Sequence, residues 1–137
     1  MAETVRKVDY FYIETPDKPG EGATVLAALR DAGVNLLAFT GFPRGRRAQL
    51  DFIPDDALTF KTAARKAGIK LSAKKTGFLI QGEDRPGAIA DIMGKLAAVN
   101  VNVTASDAVC AGEGRYGAML WVKPADVRKA AKALGAT

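Results

Sequence analysis

The chain has 137 residues, 48% of them apolar and 26% charged, with a formal net charge of +5, one cysteine and no histidine. This is the composition of a folded globular chain, long enough for one ordinary domain or for two small ones that share burial. Without histidine, Ser–His and Cys–His nucleophilic sites and imidazole metal sites are excluded, and a single thiol builds neither a disulfide nor a thiolate cage.

The opening stretch MAETVRKVDYFYIE lacks the apolar core and small-residue cleavage site of a secretory leader. No apolar run approaches the roughly 20 residues of a membrane span. With the lone Cys110, these features predict a cytoplasmic protein that does not engage a membrane. The carboxylates of DFIPDD (51–56) are too few for a calcium loop, so neither a metal nor a cofactor is expected.

The first element is a strand, VDYFYIE (8–14), rich in aromatic and β-branched residues. Asp17-Lys18-Pro19-Gly20 follows as a turn, in which Pro restricts φ and Gly frees it. A helix comes next, with a thin apolar stripe at Gly22, Val25, Leu26 and Leu29, and Gly33 stands where it should end. Strands are expected at VNLLAF (34–39) and RAQLDFI (47–53), the latter closed by Pro54. A second helix carries Ala57, Phe60 and Ala64 on one face, and IKLSAKK (69–75) reads as a fourth strand.

Then the order repeats. Residues 84–103, DRPGAIADIMGKLAAVNVNV, lie over residues 17–36, DKPGEGATVLAALRDAGVNL, without a gap and with seven identities. The second copy has a strand at 77–83, the turn Asp84-Arg85-Pro86-Gly87, and a helix with a full stripe of Ile89, Ile92, Met93 and Leu96. Asn100 marks the helix end. Strands are expected at VNVTAS (101–106) and YGAMLWV (116–122), separated by the loop DAVCAGEGR, and a helix follows with Val127, Ala130, Ala131 and Leu134 on one face. The copy stops at LGAT, with no fourth strand.

Each copy therefore predicts an α+β, ferredoxin-like βαββαβ unit, the second lacking its last strand. Right-handed crossovers place both helices on one face of an antiparallel sheet. The repeats are assigned to 1–75 and 76–137. The near-absence of a linker predicts that they pack as one pseudo-symmetric unit, since neither half carries much core alone. The missing strand leaves an unpaired edge, which predicts a homodimer or a higher homo-oligomer.

This repeated sentence of strand, Asp-x-Pro-Gly, amphipathic helix and Val-Asn-Val or Val-Asn-Leu resembles an ACT domain, and the resemblance covers nearly the whole chain twice. It implies a non-enzymatic regulatory or sensor protein that binds an amino acid or similar small molecule between ACT domains, acting through oligomerisation or a regulated enzyme partner. Carried over position by position, it implies ligand contacts from Asp17, Gly20 and Asn35 in the first copy. In the second copy it implies Asp84, Arg85, Pro86, Gly87, Ala88, Ile89 and Asn102. The physical chemistry is compatible: a helix N-terminus offers N–H groups to a carboxylate, and Asp accepts from an ammonium. Glu21 occupies the first helix's N-terminus with negative charge, so the second site is preferred. Equally, Asp before Pro-Gly is an ordinary turn former and N-cap, which makes an architectural role the rival reading.

The alternative function is a non-catalytic interaction module. Residues 44–75 hold nine basic and three acidic residues, a local excess of +6 that suits an acidic partner or nucleic acid. Nucleic acid is disfavoured, because the only candidate stacking rings, Tyr116 and Trp121, lie five residues apart and point to opposite sheet faces. Catalysis is disfavoured as well, since no nucleophile accompanies Asp84 and Cys110 has no imidazole partner.

Overall fold

A computed structural model describes residues Glu3–Thr137; Met1 and Ala2, the first two residues of the first expected repeat, lie outside the described residues. Ten strands and helices follow in the repeated order: β1 (Thr4–Pro16), α1 (Glu21–Asp31), β2 (Leu36–Arg44), β3 (Arg47–Pro54), α2 (Ala57–Lys66), β4 (Lys75–Glu83), α3 (Ala88–Ala98), β5 (Val103–Gly112), β6 (Arg115–Val122) and α4 (Val127–Leu134). This is the α+β pattern expected of a doubled ferredoxin-like chain, with strands in the order β2-β3-β1-β4-β6-β5.

The chain divides into two compact units, Asp9–Lys75, and Thr76–Thr137 together with the residues up to Val8. In the first, β3 runs antiparallel to both β1 and β2, pairing Phe52 with Phe11 on one side and Phe39 on the other. Its core gathers Phe11, Ile13, Leu29, Leu50, Phe52, Phe60 and Ala63. The Phe60 ring from α2 stands 5.3 Å from Phe11 and 5.5 Å from Phe52, so one helical aromatic fastens α2 to two strands. Val25 and Leu26 support that core only from its margin, as the thin stripe on α1 foretold.

In the second unit β6 runs antiparallel to β4 and β5. Phe78, Ile80, Ala118 and Leu120 meet Ile92 and Leu96 of α3 and Ala130 and Leu134 of α4, while Ile89, Met93, Val127 and Ala131 pack at the edge. All four helices end on a left-handed residue: Gly33, Gly68, Asn100 and Gly135, with φ between 61° and 80°. In the case of Asn100 the Val101 N–H then returns to the Leu96 carbonyl at 3.0 Å, which satisfies a helix-end acceptor.

Three expectations need correction. The missing fourth strand of the second copy does not leave a gap beside β4, because the N-terminal part of β1 is its neighbour in that unit and places Val5 in the same core as Phe78 and Ile80. Thr137 then pairs with β1, donating to the Val5 carbonyl and accepting from Lys7 N–H, both at 3.0 Å. The outer strands are instead β2 and β5. Next, residues 69–74 form no ladder strand: Ser72 is hydrogen-bonded to β1, giving its N–H to the Tyr12 carbonyl and receiving the Tyr12 N–H on its hydroxyl, each at 2.9 Å. A side chain has taken a rung that a backbone carbonyl would hold. Finally, most of the expected loop DAVCAGEGR is strand. β5 continues to Gly112, and the turn is only Glu113-Gly114, whose φ values of 56° and 72° give the twist that suits a tight hairpin.

Candidate functional site

The two Asp-x-Pro-Gly turns share one backbone form. Gly20 (φ 90°) and Gly87 (φ 84°) occupy the N-cap positions in the left-handed region, where an L side chain is strained and Gly is not. Their carbonyls accept the Thr24 and Asp91 N–H groups at 3.0 and 2.9 Å. Neither helix has a side-chain cap, so Asp17 and Asp84 do not act as N-caps. Asp56, by contrast, does cap α2, accepting from Leu58 N at 3.0 Å and Thr59 N at 3.3 Å.

The second turn borders an open depression of about 420 Å³, lined among others by Asp84, Arg85, Gly87, Ala88, Ile89 and Ala90. Its opposite wall is Ala108, Val109 and Cys110 of β5, with Tyr116 of β6 between. The hairpin sets that wall: Tyr116 pairs with both Gly82 and Cys110, and the Asp84 N–H donates to the Gly114 carbonyl at 2.8 Å. Gly82 is required there, since a Cβ would stand 2.8 Å from the Tyr116 ring.

Polar groups around the depression are partly committed to one another. Arg85 bonds Asp91 at 2.5 Å and the Pro86 carbonyl at 3.3 Å. The Asp84 carboxylate beside the Cys110 thiol, as a hydrogen-bond acceptor and a negative charge, pushes the thiol's pKa upward. Burial, reinforced by a 2.6 Å hydrogen bond to Glu3, pushes the Tyr116 hydroxyl up to about 12. Ile89 and Ala90 lie in the first turn of α3, where backbone N–H groups have no helical carbonyl behind them.

The other site residues are placed differently. Asp17, Gly20 and Asn35 are exposed, and the Asn35 carbonyl accepts from Asp55 N at 3.0 Å. Asn102 is exposed just before β5, whereas the depression meets that strand at Cys110. Eight residues of strand, roughly 26 Å, separate the two ends, so within one unit Asn102 does not stand beside Asp84. The wall residues Ala108, Val109, Cys110 and Tyr116 escaped the sequence reading, because their segment reads as a Gly-rich loop until its pairing is known. Tyr116 and Trp121 are each only 6% exposed, and neither presents a free ring face for base stacking.

Among the described residues, no cluster of His, Cys, Asp or Glu is suited to hold a metal, and no helix is long and apolar enough to cross a membrane. No protein-family profile matches the chain, and no curated protein matches it in sequence. Solved structures do match. Protein BT0572 from Bacteroides thetaiotaomicron superimposes with a TM-score of 0.77 at 20% identity, covering 97% of this chain and 88% of that one. The ligand-free regulatory subunit of aspartate kinase from Thermus thermophilus gives 0.65 at 20% identity, with coverages of 98% and 93%. The corresponding subunit from Thermus flavus gives 0.63 at 21%, with 98% and 94%. At such identities the likeness is one of fold alone, the ACT-like ferredoxin arrangement shared over nearly the whole chain.

Proposed function

We propose that the chain is a non-enzymatic regulatory or sensor protein that binds an amino acid or a similar small zwitterion, chiefly at the second Asp-x-Pro-Gly turn. The depression beside Asp84 carries this reading. It brings an acceptor for an ammonium, the first-turn N–H groups of α3 for a carboxylate, and an apolar wall within one small volume. The fold supports it, since the solved structures cited include regulatory subunits of aspartate kinase.

Asn102 joins the ligand only from a second copy. Antiparallel association along the exposed edge of β5 sets the Asn102 end of one strand against the Cys110 end of the other. The homodimer is thereby part of the site, and its output passes to a partner enzyme through that assembly.

A thermal-shift screen against the twenty amino acids tests the reading, because a ligand that binds only the folded state must raise its stability. Calorimetry on Asp84→Ala with the ligand so found should show binding weaker by roughly 10- to 150-fold, the loss of one charged hydrogen bond. Asn102→Ala should weaken it comparably. Unchanged affinity in both variants, with the fold intact by circular dichroism, would mean that the turn is architecture alone.

A further inference from the structure

A second depression, of about 320 Å³, lies on the unit Asp9–Lys75, between α2 and the extended segment 69–74. Its accessible apolar floor is Ile69 and Leu71, both half-buried and packed on the core above Phe11 and Ala64, which are each 1% exposed. Its rim is cationic, with Lys61, Arg65 and Lys74 all exposed and no acidic residue in the lining. None of these three cations forms an ion pair among the described residues. Lys61 and Arg65 stand one turn apart on α2, where like charges repel. The segment that closes the other side is tied to β1 by the Ser72 bonds to Tyr12, and the depression lies between it and α2.

Three unpaired cations around a greasy floor select for a molecule with both characters. A bare inorganic anion would leave the floor wet, and an uncharged apolar molecule would leave the cations unanswered. The volume stands at the small end of the roughly 300–1,000 Å³ typical of small-molecule sites, which fits a short chain or ring better than a polymer. We propose that this depression binds a small amphipathic anion. Its head group lies among Lys61, Arg65 and Lys74, and its short apolar body covers Ile69 and Leu71.

The test is a heteronuclear NMR titration of the full chain with octanoate below its micellar range. The expected result is saturable shifts at residues 61–65 and 71–74, with octanol and inorganic phosphate each weaker by about tenfold or more, the equivalent of one lost charge or one lost apolar contact. Double reversal, Arg65→Glu with Lys74→Glu, should weaken octanoate by a similar factor. Asp84→Ala should leave it unchanged, which separates this site from the amino-acid reading. The proposal is overturned if octanoate shifts no residue of the depression, or if octanol or phosphate binds as well as octanoate. Binding of phosphatidylglycerol vesicles through these residues without binding of monomeric octanoate would overturn it too, in favour of a lipid surface. Should the double variant misfold, the shift map on the unaltered protein still decides.

Discussion

The two Asp-x-Pro-Gly turns are alike in backbone and unlike in surroundings. Both place a left-handed Gly before a helix, and both leave that helix without a side-chain cap. The first helix then opens with Glu21, whose charge already answers the helix N-terminus. The second opens with Ala88 and Ile89, leaving its N-terminal donors beside a depression that also holds Asp84, Cys110 and Tyr116. A shared local conformation therefore does not make two equivalent sites. The neighbouring hairpin and the first helical residue decide what the turn can hold.

Four experiments break or sharpen that comparison. The largest effects belong to the cores: Phe60→Ala and Phe78→Ala, both at fully buried rings, should each cost about 3–5 kcal/mol. Because β1 is one strand whose residues belong to both compact units, denaturation of parent and variants should follow a single transition. Two transitions, each moved by only one variant, would make the units thermodynamically independent.

Ligand affinity comes next. Asp84→Ala should lose about 1.5–3 kcal/mol of binding, while Asp17→Ala changes the measured affinity little. Equal losses in calorimetry would show that the two turns are used alike. Smaller again is the backbone term. Gly20→Ala and Gly87→Ala should each destabilise by about 1–2 kcal/mol, the strain of a left-handed L residue, and urea titration should find the two costs similar. A clear difference would locate the asymmetry in the turn backbone itself.

The fourth test is one of pH. The folded pKa of Tyr116 is raised from 10.0 to about 12, so the contribution of its neutral form is complete below the unfolded value and is lost as pH climbs through the folded one. Stability should therefore decline between these values, and Tyr116→Phe should flatten that part of the profile. Ultraviolet absorbance of tyrosinate would check the assignment directly.

What could be read from the chain alone was what neighbours in sequence decide. The stripe Ile89, Ile92, Met93 and Leu96 marked the buried side of α3, and Gly33 and Asn100 marked helix ends, because both depend on contacts within a turn or two of helix. The matching of residues 17–36 with 84–103 carried the doubled βαββα order for the same reason. Pairing between distant strands was decided only in three dimensions. Residues 107–112 look like a loop because Asp and Gly are poor strand formers, yet β6 supplies partners from Arg115 to Met119 that hold them in a ladder. Segment 69–74 looks like a strand, yet the Ser72 hydroxyl takes the rung. The N-terminal part of β1 belongs to the unit of the second repeat because Val5 finds burial against Phe78 and Ile80, far along the chain. The candidate site divides along the same line. Asp84 and Gly87 were legible as a turn motif, whereas Ala108, Val109, Cys110 and Tyr116 became its wall only through the β5–β6 register, since long-range burial and hydrogen bonding set that register and no short window of sequence contains it.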